Sequence, residues 1–334
     1  MPVVLLITII AVSNLNIEWL PITAALTVLL FFLVTRGKFN KVDLWYLLLC
    51  FWGALSLTGR PSLALLFPVI ARQIIVKKIA IQGMDLAASL LLLIAVIGAK
   101  ALFLADLEVF MQIDRNYLSL FVFMLVLIKP QKESLLVDTL KMFAIFTALF
   151  LYSRTFYLVT SLFLLSGFLG IYRDTLLDMS SRRLLFILLF ITGASLVYAQ
   201  QVDVYRFDNF AARDASRLLT IEDASNMLRI IALTNYIDFI LERPLNFLIP
   251  VTAEEYAVLG EFRTAPHNTF LSIMFNLGLP LTIVYVIYIG QIFKDLKLSL
   301  RSFLAYLPYM AILGGVLYGP SVLLFPLSVI RRQK

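Results

Sequence analysis

His267 is the only histidine in the chain. It stands in Ala265-Pro266-His267-Asn268-Thr269-Phe270-Leu271, at the edge of a long apolar block. An imidazole titrates at about pH 6.5 and can take the proton of a hydroxyl near neutrality. A lone histidine at such a boundary is more often an ordinary satisfied polar residue, so position alone does not make it a base. Metal binding is a poor fit, because there is no second histidine and the single cysteine, Cys50, lies inside a distant apolar block. Arg154 is the second candidate, in Tyr152-Ser153-Arg154-Thr155 between two apolar blocks. A charge there marks a substrate path, or simply extends from a tight turn to reach water. Arg60, Lys100 and Arg115 pose the same choice, and for them snorkelling is the simpler account.

Further cations lie in a polar segment of 69 residues, 200–268. It holds six arginines (Arg206, Arg213, Arg217, Arg229, Arg243 and Arg263) and no lysine. The planar guanidinium fork grips phosphate or carboxylate. The same segment also holds ten acids, so ordinary surface ion pairs account for any one arginine.

The elements that must position these residues follow from composition. Of 334 residues 61% are hydrophobic and 15% charged, against roughly half and a quarter in a soluble domain. The apolar residues form blocks such as Leu86–Gly98, without the alternation of a barrel strand. Each block has about the length a helix needs to cross a bilayer. Candidate spans are 2–13, 19–35, 43–58, 61–76, 84–104, 116–129, 134–152, 154–172, 183–199, 269–292, 302–318 and 320–330. The expected fold class is therefore all-α: a polytopic transmembrane helix bundle of about 12 spans (10–12), a single integral membrane domain over 1–334. Segment 200–268 would be one long external loop.

Charge placement agrees with that expectation. Seventeen of the 28 Lys and Arg cluster in alternate short loops, for example Arg36, Lys38 and Lys41, or Arg331, Arg332 and Lys334. This is the positive-inside pattern and not a nucleic-acid footprint, despite a net charge of +7. It places both termini in the cytoplasm of a bacterial inner membrane. The first block lacks a basic leader and a cleavage site, so it is expected to be a retained helix. Within 200–268, Thr220-Ile-Glu-Asp223 has the form of a capping box. An amphipathic helix of about five turns is expected to follow, through Met227, Ile230, Ile231, Leu233, Ile237 and Ile240, ending before Pro244.

The order of these features resembles the O-antigen ligase and O-antigen polymerase superfamily. The resemblance is carried by the Ser153-Arg154-Thr155 turn and by the Arg-bearing helix ending in Glu242-Arg-Pro-Leu245. Pro266-His-Asn-Thr-Phe-Leu271 and Phe275-Asn-Leu-Gly-Leu-Pro280 complete it. It covers about 152–160 and 225–290. The chain departs from the family after Pro-Leu, where Asn246-Phe-Leu-Ile-Pro250 replaces a Gly-rich stretch, and it is short for the family.

The resemblance implies transfer of a sugar chain from an undecaprenyl-diphosphate carrier to an acceptor hydroxyl at the outer, periplasmic face. His267 would be the base, and Arg154 and Arg229 would hold the departing diphosphate. Asn268, Arg217 and Arg263 are further candidates for binding substrate, although Asn268 could equally cap the helix that follows. No metal and no cofactor is implied. The implied partners are the lipid-linked donor and acceptor, the lipid bilayer and a chain-length regulator. Polymerase is preferred to ligase, which would move finished polymer to lipid A-core. A transporter or flippase for lipid-linked sugar, and a scaffold without activity, are the alternatives of other classes.

Overall fold

Apolar blocks bounded by Ser, Gly and Pro become helices that end where those residues supply caps and breaks. The computed structural model describes residues 2–15, 20–36, 39–58, 63–100, 115–132, 134–151, 153–170, 175–177, 179–201, 224–251, 268–294, 296, 298–313, 316–317 and 319–329. Among these residues there are thirteen α-helices. The first half holds α1 (Val3–Ser13), α2 (Leu20–Thr35), α3 (Lys41–Thr58), α4 (Leu66–Val76), α5 (Gly83–Gly98) and α6 (Arg115–Leu127). Next come α7 (Leu135–Leu149), α8 (Arg154–Phe168), β1 (Leu176–Leu177), α9 (Ser181–Gln201) and α10 (Ala224–Glu242). The last are α11 (Thr269–Lys294), β2 (Leu298–Ser299), α12 (Leu300–Ile312) and α13 (Ser321–Val329). The two strands form a minimal antiparallel ladder, Leu176 opposite Ser299 and Leu177 opposite Leu298.

The helices stand where the apolar blocks lie, but their assignment as twelve membrane spans is corrected. Among the described residues only α11 is both long and apolar enough to cross a membrane, and 67% of its apolar window is buried inside the chain. A crossing needs about 20 residues. By contrast α1 and α4 have 11 each, α6 has 13 and α8 has 15. Apolar runs in the sequence overstate helix length because caps and turns take residues from both ends. The helix expected over 302–318, for instance, stops at Ile312, and Leu313 is extended. The expected polytopic fold, and with it a multi-pass location in the bacterial inner membrane with cytoplasmic termini, is replaced by an all-α bundle with one such helix among the described residues.

Charged side chains tie the ends of neighbouring helices together. Asp85, at the start of α5, accepts the free N–H groups of Val4 and Leu5 at 2.9 and 2.8 Å, where α1 begins. Lys77 donates to the terminal carbonyls of α2 at Val34 and Thr35. Arg301, at the start of α12, lies 3.9 Å above the Phe163 ring and donates to Ser166 Oγ at 3.1 Å near the end of α8. The core between them is built from Ile7, Leu30, Ile70, Leu90, Phe121 and Phe325, all buried.

The outer faces carry apolar stripes at helical spacing. On α8, Leu158, Leu162, Leu165 and the following Leu169 are all exposed, and on α7 so are Leu135, Met142, Phe146 and the following Phe150. Phe186, Leu189 and Phe190 do the same on α9.

Candidate functional site

The Ser-Arg-Thr turn is a helix cap tied to a neighbouring helix. Ser153 precedes α8, and its hydroxyl accepts from Phe156 N–H at 3.4 Å. It also donates to Asn116 Oδ1 at 2.9 Å. Ser119 Oγ lies 3.3 Å from Ser153 Oγ and donates to the Asn116 carbonyl at 2.8 Å. This buried knot fastens the start of α8 to the start of α6. Arg154 is therefore the first residue of a rigid helix, half-buried, and begins it beside the helix that Arg115 begins.

Asn268 is 1% exposed and begins α11. Its Oδ1 accepts from Phe270 and Leu271 N–H at 3.1 and 3.2 Å, an N-cap. The same oxygen accepts from Thr192 Oγ1 at 2.9 Å, and Nδ2 donates to Ser195 Oγ at 3.3 Å, so the cap is bolted to α9. Thr269 Oγ1 donates to the Leu313 carbonyl, just past α12, at 2.8 Å. Because Arg301 joins the other ends of α8 and α12, the starts of α8 and α11 lie at one end of the bundle. Of the two accounts given for Asn268, the capping one is realised by its geometry. Asn268→Ala is expected to lower unfolding free energy by about 1–2 kcal/mol, whereas Asn268→Asp keeps the cap and most of that stability. Chemical denaturation of the three proteins measures the difference.

The expected five-turn helix is α10, 19 residues ending before Pro244. Ile230, Leu233, Tyr236 and Phe239 form its buried side against α9 and the 3-10 turn Pro244–Phe247. The Tyr236 ring meets Phe275 of α11 edge-on at 5.2 Å. Arg229 is part of this helix, one residue before the buried Ile230. Its side chain, like His267, Arg217, Arg263 and the capping box at Thr220–Asp223, lies outside the described residues.

After the 3-10 turn the backbone of Leu248 and Ile249 crosses α11 at Gly278. Gly278 has φ 69° and ψ 164°, which breaks α11 two residues before Pro280. A side chain there would collide with the Leu248 carbonyl. Val251 N–H donates to the Phe275 carbonyl at 3.1 Å beside the break. The stretch that follows Pro244-Leu245 therefore packs against the Phe275–Pro280 segment of α11.

Two further polar residues at this end, Asn116 and Ser119, carry no signal in the motifs, and Lys100, for which snorkelling was the simpler account, is buried. Lys100 is 7% exposed, just beyond α5. Only the i, i+3 spacing of Asn116 and Ser119 hints at the knot. Below this end Tyr306 and Tyr309 are fully buried. Burial pushes both phenols well above their ordinary range, so they stay neutral and offer no phenolate base. No metal-binding cluster of His, Cys, Asp and Glu occurs among the described residues. No family model, curated protein or solved structure matches the chain.

Proposed function

We propose that the chain is a glycosyltransferase that polymerises undecaprenyl-diphosphate-linked oligosaccharide repeats. The acceptor hydroxyl attacks the anomeric carbon of the donor. A new glycosidic C–O bond forms and the bond to the diphosphate oxygen breaks. His267 takes the hydroxyl proton, and undecaprenyl diphosphate leaves with the bonding electrons beside Arg154 and Arg229. A single displacement inverts the anomeric configuration. Arg217 and Arg263 are assigned to the sugar chain or its diphosphate. No metal or cofactor is assigned, because the donor carries its own leaving group.

The observation that carries this function is the meeting of the motif segments. Leu248–Ile249 lies across Gly278, while the starts of α8 and α11 share one end of the bundle. The exposed apolar stripes on α7, α8 and α9 give a polyprenyl tail or lipid a surface to contact. The test incubates the purified full chain with a synthetic undecaprenyl-diphosphate-linked repeat. A ladder of products with release of undecaprenyl diphosphate is expected. Release only when lipid A-core is supplied as acceptor would make the enzyme a ligase instead. No release with either acceptor would overturn the proposal.

A further inference from the structure

We propose that the end of the bundle where α2, α4, α6 and α11 finish is a docking surface for the face of a bilayer that carries anionic lipid. This goes beyond the transferase function and does not rest on it.

Five segments meet at that end, each tied to the next. Lys77 Nζ donates to the Thr35 carbonyl at 2.8 Å, joining the ends of α4 and α2. Gln131 N–H donates to the Ile81 carbonyl at 2.8 Å, joining the residues after α6 to those before α5. Asp43, near the start of α3, pairs with Arg72 of α4 and accepts from the Tyr288 hydroxyl of α11 at 2.6 Å. Ser181, which begins α9, donates to the Ile287 carbonyl of α11 at 3.0 Å. Leu300 N–H, which begins α12, donates to the Thr175 carbonyl at 3.2 Å beside the β1–β2 ladder.

Charge is concentrated in these segments. Residues 36–43, 72–85, 129–138, 173–183 and 294–301 hold fourteen of the 28 Lys and Arg but only seven of the 21 Asp and Glu. The rest of the chain has fourteen of each, so the five segments carry the whole net charge of +7 with every one of their acids counted. Two of the seven acids are turned inward. Asp43 is buried against Arg72, and Asp85 against the first N–H groups of α1. Lys41, Lys78, Lys129, Lys132, Arg182 and Lys294 are exposed. They stand on or beside six different helices, so a single small anion meets few of them, whereas a charged surface meets them together.

Apolar side chains interleave with these cations and favour lipid over nucleic acid. Leu135 is 84% exposed beside Lys132, and Trp45 is 65% exposed one turn beyond Lys41. Val76 and Phe186 are likewise exposed beside Lys77 and Arg182. A nucleic acid would neutralise the cations with its phosphates and leave Leu135 and Val76 in water. A bilayer interface takes both, with anionic headgroups against Lys and Arg and apolar side chains at the edge of the acyl region.

The experiment mixes the purified full chain with phosphatidylcholine vesicles, with and without phosphatidylglycerol, and measures co-flotation at low and high salt. Phosphatidylglycerol is expected to raise the bound fraction and salt to lower it. Lys129→Gln combined with Lys132→Gln is expected to weaken binding about 30-fold, about fivefold for each charge removed. Arg243→Gln, exposed but outside the five segments, is expected to leave it unchanged. Equal binding to both kinds of vesicle would overturn the proposal. So would release of the chain by free glycerol phosphate, which would mean a site for single phosphates, or tighter binding to an RNA oligonucleotide than to the anionic vesicles. Binding to anionic vesicles by a chain that transfers no sugar would keep this surface and defeat the function proposed above. Sugar transfer without any preference for phosphatidylglycerol would do the reverse.

Discussion

His267→Ala is expected to slow polymer elongation by about 10²–10⁴-fold, the usual contribution of a positioned proton acceptor. The attacking hydroxyl must lose its proton as the new bond forms. No second histidine can take it, and the buried Tyr306 and Tyr309 are held in their neutral form. His267 directly precedes Asn268, whose side chain is fixed to α9 and to the start of α11. The loss should fall on kcat with little change in KM, because the proton moves only in the transition state. Single-turnover rates with labelled donor measure it. His267→Ala elongating at the wild-type rate would remove the base assignment.

Asp43→Ala is expected to lower unfolding free energy by about 3–5 kcal/mol, with no polar ligand involved. Asp43 is fully buried at the opposite end of the bundle. Its carboxylate pairs with Arg72 and accepts from Gln73 Nε2 at 2.6 Å and from the Tyr288 hydroxyl at 2.6 Å. The Tyr46 ring stacks on Tyr288 at 3.9 Å and closes the cluster. Alanine would leave a guanidinium, an amide and a phenol facing one another around a lost acceptor, so the cost comes from the groups stranded rather than from the bond removed. Asp43→Asn keeps one oxygen and should cost less than half as much. Denaturant titration separates the two, and equal stability of all three proteins would show that the cluster relaxes into water.

Much of the fold was legible in the sequence because helices announce themselves locally. Ser134 and Ser153 cap α7 and α8 where polar residues interrupt apolar blocks, and α10 ends before Pro244 as its pattern requires. Helix length was less legible. Apolar residues continue through turns and into packed, extended stretches such as Leu313, so composition alone made spans out of shorter helices. The break at Gly278 follows from Gly and Pro two residues apart, a pairing that a count of apolar residues overlooks. Partners of Asp43 and Asp85 were not legible at all. They lie up to 245 residues away in the chain, and nothing local marks either carboxylate as the hub of a buried cluster. At the candidate site, Arg154 and Asn268 are at helix starts as their motifs suggested. The burial of Lys100 became visible only in the packed structure.

The central claim is that this chain builds a surface polysaccharide from lipid-linked repeats. Gel analysis of that polysaccharide in a strain lacking the chain, complemented with wild type or with His267→Ala, tests it most directly. The account predicts that the ladder collapses to a single repeat on lipid A-core, returns with the wild type and stays collapsed with His267→Ala. A normal ladder in the deletion strain would contradict it.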